Sequence, residues 1–267
     1  WVMPAAYYSQ RVDYPELGFS MDYFMIDSNA EVALDPAHDM GHNMCSWYNT
    51  EGHGAIDCSR AGGPRDPFSC PAWFKAFWKE NMVWLEEKLP TSRADWQVVV
   101  THFPCGHEAK FYERMHATYG LDLLVTGHRH DQEIWAAESN RLGGLACFVT
   151  GGGGGITSES SPTNPAEWYD YWDVGTQYGF FDLTVAKDEI LVESIDYTGK
   201  VVGNMTVYPS SPESATNATQ FTTSNATNGT SHATNGTSTG TSNATNSSNG
   251  TSNATNATQF TTPNATR

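Results

Sequence analysis

The segment Gln97-Val98-Val99-Val100-Thr101 restricts the fold of this chain more than any other stretch. A continuous β-branched run is typical of a strand covered on both faces, as in parallel sheets packed between other layers. Residues 108–119 follow as a short helix, and Gly120 takes the C′ position, where a left-handed backbone is easiest without a Cβ. Leu121 to Thr126 is a second buried strand. Strand, helix and strand within about 30 residues predict a right-handed βαβ unit with parallel strands.

The remainder of residues 1–208 extends this unit into one α/β domain. Tyr23-Phe24-Met25-Ile26, between Asp22 and Asp27, reads as another buried strand. Pro71 to Leu89 is the clearest helix: Phe74, Phe77, Trp78, Met82, Leu85 and Leu89 recur at helical spacing, and Pro90 ends it. Further strands are expected at Cys147 to Thr150, Tyr178 to Ala186, Glu189 to Asp196 and Val201 to Tyr208, with turns at Lys187-Asp188 and Tyr197 to Lys200. Residues 31–70 form a long polar loop holding Cys45, Cys58 and Cys70, and one pair of these would staple it in an oxidising compartment. Spacing leaves the pairing of the five cysteines open; Cys105 is expected as a buried or unpaired thiol.

Both strands of the βαβ unit end in histidine, at His102 and at Gly127-His128-Arg129-His130. Parallel strands bring their carboxyl ends to one sheet edge, where open α/β folds place their sites, so His102, His128 and His130 should converge. Neutral imidazole suits Zn, Fe and similar ions, and two metals roughly 3.5–4 Å apart can clamp an in-line phosphoryl displacement. The competing reading is surface histidines in two separate loops.

Val99-x-x-His102 and Gly127-His128-x-His130 resemble the last two metal-binding motifs of the calcineurin-like metallophosphoesterases. The order of motifs over residues 1–206 is most similar to the purple acid phosphatases of the small, tartrate-resistant type. Phe24-Met25-Ile26-Asp27 resembles that family's strand ending in Asp-Thr, and Phe148-Val149-Thr150-Gly151 with its glycine run falls in the expected place. The resemblance implies an α/β, metallophosphoesterase-type mixed β-sandwich flanked by helices. It implies a dinuclear metal centre, Fe plus a second divalent metal (Fe, Zn or Mn), with His102 and His128 on the divalent ion and His130 on the other. It also implies hydrolysis of small phosphomonoesters at acid pH in a secreted, cell-surface or lysosome-like compartment. A phosphodiesterase of the same superfamily and a non-catalytic secreted glycoprotein are the alternatives.

Three upstream motifs of that family, D-x-G, G-D-x-x-Y and G-N-H-D, are not found in that form and order, so the domain reads as incomplete at its N-terminus and the chain as inactive by itself. Asp39-Met40-Gly41 fits D-x-G by letters alone. The family's substrate-facing histidine falls at Phe111, leaving His107 as the nearest general acid, with a solvated loop histidine as the equal reading. Arg129 is expected to be solvated instead of gripping phosphate, and Asp131 to decorate a helix start. The run Gly151 to Gly155 has no G-K-[ST] after it, so it is no Walker loop; by resemblance it lines the rear of the metal site.

Charge excludes other classes. The chain carries 30 acidic residues against 14 Lys plus Arg, and residues 1–208 hold 29 of those acids. That leaves no basic patch for nucleic acid, and phosphate chemistry would need local positive charge such as a metal. No apolar run approaches the roughly 18–20 residues of a membrane span. Oligomeric state has no signature in the sequence. Residues 209–267 hold one acid, one base and two aromatics, too little apolar surface to offset chain entropy, so this tail is expected to be disordered. Ten of the eleven N-x-[ST] sequons lie there, and the remaining one is Asn204-Met205-Thr206. If the protein is secreted, the tail reads as a glycosylated stalk.

Overall fold

The computed structural model describes residues 3–38, 42–50, 57–59, 62–138, 140–154, 172–173 and 178–210. The expected tail therefore lies outside the described residues beyond Ser210, as do Asp39-Met40-Gly41 and Gly155.

The β-branched run forms β3 (Trp96–Val100) at the heart of a mixed α/β architecture. It pairs in parallel with β2 (Phe19–Met25) on one side and with β4 (Leu123–Thr126) on the other. Strand β6 (Ala146–Thr150) adds in parallel to β4. The sheet is completed by β1 (Tyr8–Tyr14), antiparallel to β2, and by β5 (Gln132–Trp135) and β7 (Trp172–Asp173), antiparallel on the far side of β6. A second, three-stranded antiparallel sheet runs β10-β9-β8, from β8 (Gly179–Val185), β9 (Ile190–Asp196) and β10 (Val201–Val207).

Side-chain alternation sends each central strand into two different cores. Val99, Leu124, Cys147 and Val149 face the helices, where they meet Trp78 and Leu85 of α1 (Cys70–Lys88) and Phe111, Tyr112 and Met115 of α2 (Ala109–Tyr119). Trp96, Val98, Leu123 and Phe148 face the small sheet, against Ile190, Val192, Met205 and Val207. The layers are thus helices, large sheet, small sheet. Each fully buried Leu, Val or Met here contributes about 1.5–3 kcal/mol. Trp96 ties the two sheets by donating its indole N–H to the Ala186 carbonyl at 2.8 Å.

The expected βαβ unit is present, and Gly120 ends α2 at φ 74° with its N–H on the His116 carbonyl. The long polar loop is stapled by Cys45–Cys70, leaving Cys58 free and exposed. Two expectations are corrected. Cys105 is no thiol: it is disulfide-bonded to Cys147 across the main core. Asp131 starts no helix; it is buried just ahead of β5. The strands β1 and β5 are additions to the sequence reading.

Candidate metal site

Strands β2, β3, β4 and β6 all run the same way, so their following loops leave at one edge of the sheet. Backbone bonds carry the alignment past the strand ends. Thr101 N–H reaches the Val125 carbonyl at 3.0 Å, and Gly127 N–H reaches the His102 carbonyl at 3.0 Å. His102 and His128 are therefore brought side by side, with His128 Nδ1 3.3 Å from His102 Nε2.

Phe103 sets the ring orientations. It is buried; its ring stacks on His128 at 4.4 Å between centroids, meets His102 edge-on at 5.5 Å, and lies 4.8 Å from His107. Ser28 fixes Phe103 in turn: its buried hydroxyl accepts the Phe103 N–H at 2.9 Å and the Thr101 hydroxyl at 2.8 Å. His128 sits at φ 71° in the centre of a tight turn closed by Arg129 N–H to the Gly127 carbonyl at 2.9 Å. A left-handed backbone costs a non-glycine residue about 1–2 kcal/mol, so packing against Phe103 and the neighbouring strands must hold it there.

The loop bearing His128 and His130 is braced from below. Arg129, expected to be solvated, instead pairs with buried Glu133 at 2.7 Å, and Glu133 also accepts the Trp135 indole N–H at 2.8 Å. Gly151 lies so close that a Cβ there would meet the Arg129 carbonyl oxygen at 1.6 Å, and its N–H bonds the Asp131 carbonyl at 2.9 Å. A side chain at 151 would push the histidine turn away.

Electrostatics at this edge favour neutral imidazole. Burial pushes the His102 pKa down, opposed by the charge of Asp27 and reinforced by His130. Burial likewise lowers His107, whose Nδ1 lies 3.6 Å from Glu31 Oε2, the carboxylate opposing the shift. Neutral imidazole is the ligand form, so the shift at His102 widens the pH range over which a metal can be held. Sequence reasoning missed Asp27, Phe103 and Glu31 as members of this edge. Asp27 follows β2, whose parallel pairing beside β3 is the signal that points to it.

The geometry can be tested against a metal directly. Two imidazole nitrogens each about 2.0–2.1 Å from one ion at a tetrahedral angle stand roughly 3.3–3.4 Å apart. The 3.3 Å separation of His102 and His128 fits two ligands on one ion. A dinuclear centre needs more than this pair, and among the described residues no group of three or more His, Cys, Asp or Glu side chains is gathered to hold a metal. His130 reaches His102 through its charge and is not part of such a group. His107 shares Phe103 with the pair, a position from which it can offer a proton near a ligand bound at the edge.

The fold is similar to that of GAP50, the anchor in the inner membrane complex of Plasmodium, with 13% identity, a TM-score of 0.51 and coverage of 82% of this chain and 60% of that one. At that identity the likeness shows the fold alone. PhoD is matched at 14% identity and TM-score 0.36, over 77% of this chain and 42% of its own. A hypothetical protein from Thermus thermophilus is matched at 10% identity and TM-score 0.30, over 77% of this chain and 62% of its own. The chain thus spans less than two thirds of the length of each. No family model matches the chain, and no curated protein matches it in sequence.

Proposed function

We propose that the histidine edge is the metal-binding face of a phosphoester-hydrolase scaffold, of the purple acid phosphatase kind that the V-x-x-H and G-H-x-H motifs resemble. The observation carrying this reading is the 3.3 Å approach of His102 Nε2 and His128 Nδ1 at the carboxyl ends of adjacent parallel strands. A bound divalent ion would supply the positive charge that an acidic chain needs to attract a phosphomonoester. His102 and His128 would hold that ion, Phe103 would fix their rings, and His107 would stand as proton donor beside them. The Fe-containing pair of metals implied by the resemblance needs more ligands than the described residues assemble. On this reading the 267-residue chain, in which D-x-G, G-D-x-x-Y and G-N-H-D are not found in that form and order, would not hydrolyse phosphomonoesters by itself.

The test has two arms. Calorimetric titration of the full chain with Zn²⁺ or Co²⁺ should show one site that disappears in His102→Ala and His128→Ala; binding indifferent to both variants would remove the metal face. Incubation with p-nitrophenyl phosphate in the presence of these ions should release no product above blank, and turnover would overturn the claim of inactivity.

A second reading is a non-catalytic secreted glycoprotein. It is favoured by the same missing third ligand among the described residues, and the GAP50 structure that shares this fold is an anchor. Retention of inorganic phosphate by the metal-loaded chain separates the two: a phosphoester site binds it, and a purely structural ion does not.

A further inference from the structure

The small sheet ends at a strand with almost none of the usual protection against edge-to-edge pairing. Strand β10 lies at the rim of the β10-β9-β8 sheet, and among the described residues only β9 hydrogen-bonds to it. Edge strands are normally blunted by charged side chains, proline or bulges, because unpaired N–H and C=O groups invite another chain to add as the next strand. The sequence Val201-Val202-Gly203-Asn204-Met205-Thr206-Val207 has no charge and no proline, and its sole device is a register shift between Val201 and Gly203. It combines high β-propensity with zero net charge, the composition of a strand prone to association.

One residue in that strand offers a different kind of protection. Asn204-Met205-Thr206 is the single N-x-[ST] sequon outside the tail. Met205 and Val207 point into the core against Ile190 and Val192, so Asn204 and Thr206 face away from it. Asn204 is exposed and stands in a cross-strand row with Glu193 and Asp182, on the polar face of the sheet. The chain also carries two disulfides, Cys45–Cys70 and Cys105–Cys147, and such bonds form and persist in the oxidising route where sequons are glycosylated.

We infer that Asn204 carries an N-linked glycan that covers the open edge of β10 and keeps a second copy of this chain from pairing with it. A branched, hydrated oligosaccharide rooted in the middle of the strand excludes a neighbouring backbone from the unpaired groups on either side. It thereby does what a lysine or a proline does on other edges.

The experiment uses the full chain expressed through the secretory pathway of a glycosylating eukaryotic host. Cleavage by a glutamate-specific endoprotease after Glu193 and Glu213 isolates residues 194–213, which contain this sequon and none of the ten in the tail. Peptide N-glycosidase should leave its asparagine-to-aspartate mark on Asn204 in this peptide; an unmodified Asn204 in secreted protein overturns the proposal whatever the variants do. Asn204→Gln and Thr206→Ala should each lose the glycan and shift a fraction of the protein to dimer or larger species on size exclusion. Thr206→Ser, which preserves the sequon, should keep both the glycan and the elution of the original chain. A glycan at Asn204 whose removal by both variants leaves elution unchanged would sink the shielding role.

Discussion

Phe103 lies flat on His128, 4.4 Å between ring centroids and 25° between planes, while presenting its edge to His102. A single buried phenyl ring therefore dictates how two candidate ligands from two loops face each other. Replacing it should separate stability from geometry. Phe103→Ala should destabilise the domain by about 3–5 kcal/mol. Phe103→Leu should recover most of that loss in chemical denaturation yet still weaken Zn²⁺ binding by about tenfold, a difference of about 1.4 kcal/mol. Wild-type affinity in the leucine variant would show that the stacking is incidental.

Gly151 and Gly153 make a matched pair for probing the floor of the site. A Cβ at Gly151 would overlap the Arg129 carbonyl oxygen, a backbone atom that cannot swing aside, whereas one at Gly153 meets nothing within 4 Å. Gly151→Ala should cost roughly 1–3 kcal/mol or more and displace the turn carrying His128. Gly153→Ala should stay within about 0.5 kcal/mol of the original chain. Denaturant midpoints of the two variants, compared with their Zn²⁺ affinities, provide the check.

The Cys105–Cys147 bond fastens the loop after β3 to the interior of β6, with both residues fully buried beside Thr126. Cys105→Ala with Cys147→Ala should lower stability by about 2–5 kcal/mol and the melting temperature by roughly 5–15 °C. Opening Cys45–Cys70 alone, by Cys45→Ala with Cys70→Ala, should leave the histidine edge intact, because that bond belongs to the polar loop. Thermal melts of the two double variants, with and without Zn²⁺, distinguish the roles.

Acidity should act at the opposite end of the sheet. Asp122 is buried at the start of β4, accepting backbone N–H groups from Gln97 at 2.7 Å and Ser210 at 2.6 Å. Burial outweighs these bonds and raises its pKa to about 6. The folded state therefore holds this proton more tightly than the unfolded chain does. The corresponding stability is fully present below about pH 4 and is lost as pH rises through about 6, an effect on the order of 3 kcal/mol. In Asp122→Asn the pH dependence of unfolding between pH 4 and 6 should flatten relative to the original chain, and an unchanged slope would assign it to other groups.

Legibility in the sequence followed how local each signal was. The βαβ unit could be read because its strands are unbroken apolar runs and Gly120 marks the helix end. Strand β5 could not, since Gln132 and Glu133 look like surface residues until Ser194 of β9 bonds the first and the nearby Arg129 and Trp135 close on the second. The hairpin strand β1 is polar on most positions and takes its register from β2. At the site, the histidines stood out by residue type and spacing. Phe103 did not, because an apolar residue in a loop carries no sign that it will organise three imidazoles. The disulfide of Cys105 depends on β6 lying under the β3 loop, a relation that only the folded sheet creates.

The left-handed turn at His128 has an implication for what loss of the site would look like. The backbone at φ 71° would be better served by glycine, so His128→Gly should relieve strain that His128→Ala leaves in place, while both abolish the two-histidine grip. The imidazole is thus held against the local conformational gradient. Among the changes that empty the site, the one to glycine alone also removes the backbone strain.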